Sequence, residues 1–300
     1  MRLGRKSMTL LLIGMMCLVF SGAAFAFPKD ATHVKKGVLF VTFGSSGPEG
    51  EAAITATLNA VKAASPGIEV RTAYTSRIIM RRIAREQLRM IDEPAVALAK
   101  MAYEGFTDVA VLSTHIIPGA EYDDVVAVVK GFRLMGEEAP KVGFRFLGLS
   151  TPLLSCQESI ERVADIMMET YGKELEDGAV VLVGHGTHHF ADAAYSALQI
   201  ALWRRSPNFY IGAVDGMMSS FDEVLSLLKS TNVKKLHLGP AMLVAGDHTL
   251  NDIAGDDEDS WKSMLEAEGY DVTPIMTGWG QNEAVREMIL EKLHEAWGDA

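Results

Sequence analysis

The sequence predicts an α/β protein made of two similar halves, each a parallel sheet covered by helices. Three observations lead there. Short, uninterrupted apolar runs alternate with stretches of helical period. A run that is apolar throughout suits a strand covered on both faces, as in a parallel sheet with crossover helices. The series also restarts near residue 175. GVLFVTFGSSG in the first half matches GAVVLVGHGTH in the second, and VAVLSTHIIPGAEYDD matches KLHLGPAMLVAGDHTLND.

In chain order, the first predicted strand is 37–43. The helix at 51–64 follows and is stopped by Ser65-Pro66-Gly67. Residues 68–74 form a second strand. Helices follow at 77–90 and 94–103, with Pro94 in a first turn where its missing N–H costs nothing. Strands at 108–113 and 143–149 flank a helix at 122–135, and a long helix covers 155–171. The second half repeats the scheme with strands at 179–184, 210–215, 235–239 and 271–276. Its helices lie at 192–205, 221–230, 260–268 and 282–297. Strand–helix alternation implies right-handed crossovers. We therefore expect two α/β domains, 35–174 and 175–300. The loops after the first and third strands of each should face a shared cleft.

Residues 1–26 read as an address. Arg2, Arg5 and Lys6 are a basic start, 8–20 an apolar run too short to span a bilayer comfortably, and Ala24-Phe25-Ala26 a cleavage site. Cleavage after Ala26 and a periplasmic location are expected. No lipobox precedes Cys17, so no lipid anchor is expected, and nothing after the signal is long and apolar enough to be a membrane span. The second cysteine, Cys156, would then have no partner for a disulfide. It reads as a small buried residue at the start of a helix. The net charge is −11 and becomes more negative without the basic start. That argues against nucleic acid and anionic membranes as partners and favours cations. A hydrophobic content of 48% supplies a proper core.

The chemistry concentrates at strand ends. In VVLVGHGTHH the apolar run stops at Gly184, and His185, His188 and His189 follow. Neutral imidazole is the commonest transition-metal ligand. His248, beside Asp247 in the loop after a later strand, offers a second imidazole to the same edge. Asp215, ending the sixth strand before Gly216, would complete a His-Asp-His set; the alternative is a turn-capping Asp. His189 either lines the cleft or supports it. His115 and Glu121 lie in the matching loop of the first half. Gly184-His185-Gly186 is not a dinucleotide fingerprint, because the third glycine would fall on His189. Gly44-Ser45-Ser46-Gly47 lacks the lysine of a phosphate loop. The acidic run NDIAGDDED lacks EF-hand spacing and reads as a solvated loop. Arg77, Arg81, Arg85 and Arg89, spaced by four, form one basic helix face that either grips a polycarboxylate or is solvated and paired with acids.

These residues resemble a known family. GHGTHH, VDG and GPAMLVAGDHTLNDIAGDDEDSW, with FVTFGSS and THIIPGAEY in the first half, are similar to the anaerobic sirohydrochlorin cobaltochelatases, CbiK-type relatives of the ferrochelatases. The resemblance covers nearly all of the chain after residue 26. It implies two flavodoxin-like domains with parallel sheets facing a central cleft that holds a tetrapyrrole. It also implies a metal site of two histidines and a glutamate, which fall on His185, His248 and Asp215. The aspartate is a departure, one methylene shorter than the family's glutamate; the signal is another. Ser45, His115, Glu121 and His189 are the candidate tetrapyrrole contacts. The implied reaction inserts Co²⁺ into sirohydrochlorin, with Fe²⁺ or Ni²⁺ as further metals. A bound haem and homo-oligomerisation stay open. The competing readings are a periplasmic metal or tetrapyrrole carrier without turnover and, less favoured, a metallohydrolase.

Overall fold

The computed structural model describes residues 33–139, 143–217, 219–246 and 249–299. The expected signal segment, Asp247 and His248 lie outside the described residues. The first sheet contains β1 (Lys36–Thr42), β2 (Glu69–Tyr74), β3 (Asp108–Ser113) and β4 (Phe146–Leu149), in the order β2-β1-β3-β4. The second contains β5 (Ala179–Gly184), β6 (Phe209–Ala213), β7 (Lys235–Pro240) and β8 (Asp271–Pro274), in the order β6-β5-β7-β8. Every pairing is parallel. The chain thus forms two flavodoxin-like units of identical strand order.

The apolar runs explain this layout. β3, β5 and β6 are buried along their whole length, and β1 from its second residue on. The edge strands are more polar. β2 sends Arg71 outward to Glu69 and Glu104, and β8 is mostly exposed. The helices are α1 (Pro48–Ala64), α2 (Arg77–Glu86), α3 (Pro94–Tyr103), α4 (Ala120–Glu138), α5 (Gln157–Thr170) and α6 (Gly172–Asp177). In the second half they are α7 (Ala193–Trp203), α8 (Phe221–Lys229), α9 (Trp261–Ala267) and α10 (Glu283–Trp297). Among the described residues, no helix is long and apolar enough to cross a membrane.

Several elements differ from expectation. α2 stops at Glu86, and Leu88 adopts a left-handed φ of 52° that ends the helix without glycine or proline. β4 begins at Phe146, because 143–145 first cross beneath α4, where a side chain on Gly143 would strike Gly136. Cys156 is not buried. It is exposed as the N-cap of α5, and its hydrogen bonding with Ser159 holds the thiol below its usual pKa. The cap position, facing outward from the helix start, accounts for the exposure.

The two halves are laced together. α5 leaves β4 and packs on α7, where Glu161 pairs with Arg204 and Arg205. α10 leaves β8 and packs on β3 and β4. The approach is close: any side chain on Gly148 would collide with the Ala296 carbonyl, and Trp297 stacks on Phe146 with ring centres 6.0 Å apart. One hydrophobic core consequently runs through both sheets, joining Phe40 and Leu112 to Leu182, Leu198, Trp279 and Met288. Separate outer clusters back each sheet.

Candidate functional site

In each sheet the strand order reverses between its first and third strands, β1/β3 and β5/β7. Loops leaving such a pair diverge and open a crevice at the carboxyl edge. In the second sheet the strand ends are level: Gly184 pairs with Ala213, and Val183 with Pro240. His185 is therefore the first residue beyond β5, and Asp215 stands two beyond β6. The loop carrying His248 leaves from β7, on the other side of β5.

The β5 and β6 loops are joined backbone to backbone. The Val214 N–H donates to the Gly184 carbonyl at 3.0 Å, and the Asp215 N–H to the His185 carbonyl at 2.8 Å. Gly186 has a φ of +81°, and a side chain there would strike the backbone of Asp215 and Gly216. Only glycine suits this turn, on both counts. His185 is half-buried. Its Nδ1 lies 3.0 Å from the Gly186 carbonyl, which can only accept. Nδ1 therefore carries the proton in the neutral ring, which leaves the lone pair on Nε2, the form in which an imidazole can ligate a metal. Asp215 is joined to His185 through the backbone, and its own side is exposed. Among the described residues, no three His, Cys, Asp or Glu side chains gather as a metal cluster.

The first half faces this ledge. Phe43, the residue after β1, meets the His185 ring at 6.0 Å between centres. Ser45 is buried, and its Oγ accepts from the Gly47 N–H at 3.3 Å. A Cβ on Gly246 would stand 3.6 Å from that oxygen, so the chain leading into Asp247-His248 passes against Ser45. His189 accepts the Ala191 N–H on Nδ1 at 3.2 Å. Its Nε2 reaches across to Asp123, in the first turn of α4, at 3.4 Å. His188 and Glu121 are exposed.

His115 has a different setting. Its Nδ1 lies 2.8 Å from Ser113 Oγ and its Nε2 3.1 Å from Thr75 Oγ1, so hydroxyls engage both nitrogens. Burial pushes its pKa down to about 4, leaving it neutral. The basic helix face is broken. Arg89 lies beyond α2 and pairs with Glu51, Arg77 pairs with Glu93 at 3.5 Å, and Arg85 pairs with Glu86 at 2.6 Å. Arg82 turns inward and donates to Ser46 Oγ at 3.3 Å, in the loop after β1.

Two residues at the site carried no sequence signal. Phe43 reads as the end of an apolar strand, and Asp192 reads as the first residue of a helix. Yet Asp192 makes no side-chain bond to the start of α7 and instead accepts from both loops, as developed below.

Twin parallel sheets of identical strand order, with polar loops at switch points that face each other, are the architecture of the chelatase class. The cobalt chelatase (CbiK) family model matches residues 36–298. The chain is 38% identical to the sirohydrochlorin cobaltochelatase CbiKC of Nitratidesulfovibrio vulgaris over 263 residues, 87% of this chain and 90% of that protein. It is 36% identical to the sirohydrochlorin cobaltochelatase of Salmonella typhimurium over 264 residues, 88% and 97% of the two chains. SirB from Bacillus subtilis, solved with Fe³⁺, has the same fold with a TM-score of 0.58 at 16% identity, covering 88% of this chain and 96% of that one. The chain belongs to the cobalt chelatase (CbiK) family.

Proposed function

We propose that this protein inserts Co²⁺ into sirohydrochlorin and releases two protons. The observation that carries the reading is the His185 ledge, where an imidazole with its lone pair on Nε2 sits at a switch point facing the first half. Family membership over nearly the whole described chain supports it. Insertion requires that Co²⁺ lose part of its hydration shell and that two pyrrole N–H protons leave. A neutral imidazole can ligate the ion or accept a proton near pH 7. His185 and His248 hold the metal in this scheme. Asp215 offsets charge beside His185, and its shorter side chain acts on the ion directly or through a water. Pressing the macrocycle out of plane costs about 1–5 kcal/mol, drawn from binding the rest of the ring. Phe43, Ser45 and His189 line the cleft that receives it.

The test is turnover. Catalytic protein is mixed with excess metal-free sirohydrochlorin and Co²⁺, with Fe²⁺ and Ni²⁺ in parallel, and the absorbance change is followed. Many equivalents of product per protein are expected with Co²⁺. A burst equal to the protein concentration, and nothing further, would make the protein a carrier. We also propose an exported, periplasmic protein, supported by the basic, apolar and small-residue pattern of 1–26. N-terminal sequencing of the mature protein should begin at Phe27.

A further inference from the structure

Asp192 is the least expected charge in the second half. It is 2% exposed and lies where the short turn Phe190–Asp192 runs into α7. A carboxylate in that place ordinarily caps the helix, but here it makes no such bond. Its Oδ1 accepts the Thr187 N–H at 3.3 Å, and its Oδ2 accepts the Met217 N–H at 2.9 Å. Thr187 is two residues past His185, and Met217 is two past Asp215. A Cβ built on Gly216 would stand 3.4 Å and 3.5 Å from the two carboxylate oxygens, so the carboxylate lies directly beneath that glycine. Burying a carboxylate is costly unless hydrogen bonds compensate. Charge-assisted bonds from backbone N–H groups are among the stronger ones. A neutral side chain could fill the same space at lower cost. Carboxylate oxygens, by contrast, accept from two donors on two separate loops at once.

We propose that Asp192 is a positioning residue that staples the β5 and β6 loops into one rigid ledge, fixing His185 and Asp215 relative to each other for metal insertion. The proposal rests on the chelatase reading for its catalytic consequence, but the staple itself is independent of that reading. Together with the His185–Asp215 backbone bond and the packing of Gly186 on Gly216, it leaves the ledge little freedom to spread. Catalytic groups gain from being held before substrate arrives, and loosening the groups that orient a ligand typically costs ~10–100-fold.

Two measurements test it. The first is amide hydrogen exchange on the full chain, wild type against Asp192→Asn. The asparagine has the same shape but presents an NH₂ to one of the two N–H donors. In wild type the Thr187 and Met217 amides should be protected. In Asp192→Asn at least one of them should exchange ~10-fold faster or more, while the amides of β5 and β7 are unchanged. Unprotected amides in wild type would overturn the proposal even if the variant does not fold. The second is steady-state insertion of Co²⁺ into sirohydrochlorin. Asp192→Asn should lower kcat by ~10–100-fold and leave KM for sirohydrochlorin within about threefold, because geometry is lost and not substrate contact. Asp165→Asn, which removes a surface partner of Arg205 on α5, should match wild type. An Asp192→Asn enzyme with wild-type kcat, or one whose whole second sheet exchanges faster, would also overturn it. If wild type shows no turnover, the chelatase reading fails, and the exchange experiment still decides on the staple.

Discussion

Phe43-Gly44 after β1 and His185-Gly186 after β5 are the same turn on two sheets. Each begins one residue past its strand, and each is closed by a glycine of positive φ, +102° and +81°. The first turn presents a phenyl ring and the second an imidazole, and the two rings meet with their centres 6.0 Å apart. The loops after the neighbouring strands diverge similarly. In the first half His115 is enclosed by Ser113 and Thr75 and kept neutral. In the second half the loop after β7 runs past Ser45 toward His248. Duplicated backbone supplies two equivalent turns, and in the proposed reading side-chain choice makes one of them chemical and the other a wall. The fold alone would not say which.

Substitutions sharpen that contrast, beginning with the largest effect. His185→Ala should cut insertion by ~100-fold or more with an unchanged circular dichroism spectrum, as expected when a ligand or proton acceptor is lost. Activity near wild type would move the chemistry elsewhere. Phe43→Ala, at the equivalent turn, should cost only ~2–10-fold, on the scale of one aromatic contact. A loss as large as that of His185→Ala would erase the distinction between the halves. Asp215→Glu, which places here the glutamate that the resemblance implies, should retain or raise activity in the same assay. The smallest effect belongs to His115. Its folded-state pKa, about 4, lies below the ordinary 6.5, so the unfolded chain binds the proton more readily between those values. The stability it contributes is complete above about pH 6.5 and declines as pH falls toward 4. Urea unfolding at pH 5 and pH 7 should show a smaller difference for His115→Gln than for wild type.

Much of this was legible in the sequence, for identifiable reasons. The central strands announced themselves because parallel strands buried on both faces must be apolar throughout, as in 38–41 and 179–184. Placing His185 and Asp215 just beyond such runs put both at the sheet edge. The end of α2 was hidden because Leu88 takes a left-handed conformation that no glycine or proline marks. The return of α10 to the first sheet was hidden because its apolar face carries no label for its partner. Asp192 was hidden most completely: in the sequence it only opens the helix at 192–205, and the donors Thr187 and Met217 are separated from it by 5 and 25 residues. Local pattern specifies local structure, whereas a bond between loops appears only once strand order brings them together.

The central claim is that His185 Nε2 takes the metal at the second sheet's switch point. Crystals loaded with Co²⁺ and measured at the cobalt absorption edge test it most directly. The account predicts an anomalous peak about 2.0–2.2 Å from His185 Nε2, within reach of His248. A cobalt peak elsewhere in the cleft, with no density at His185, would contradict it.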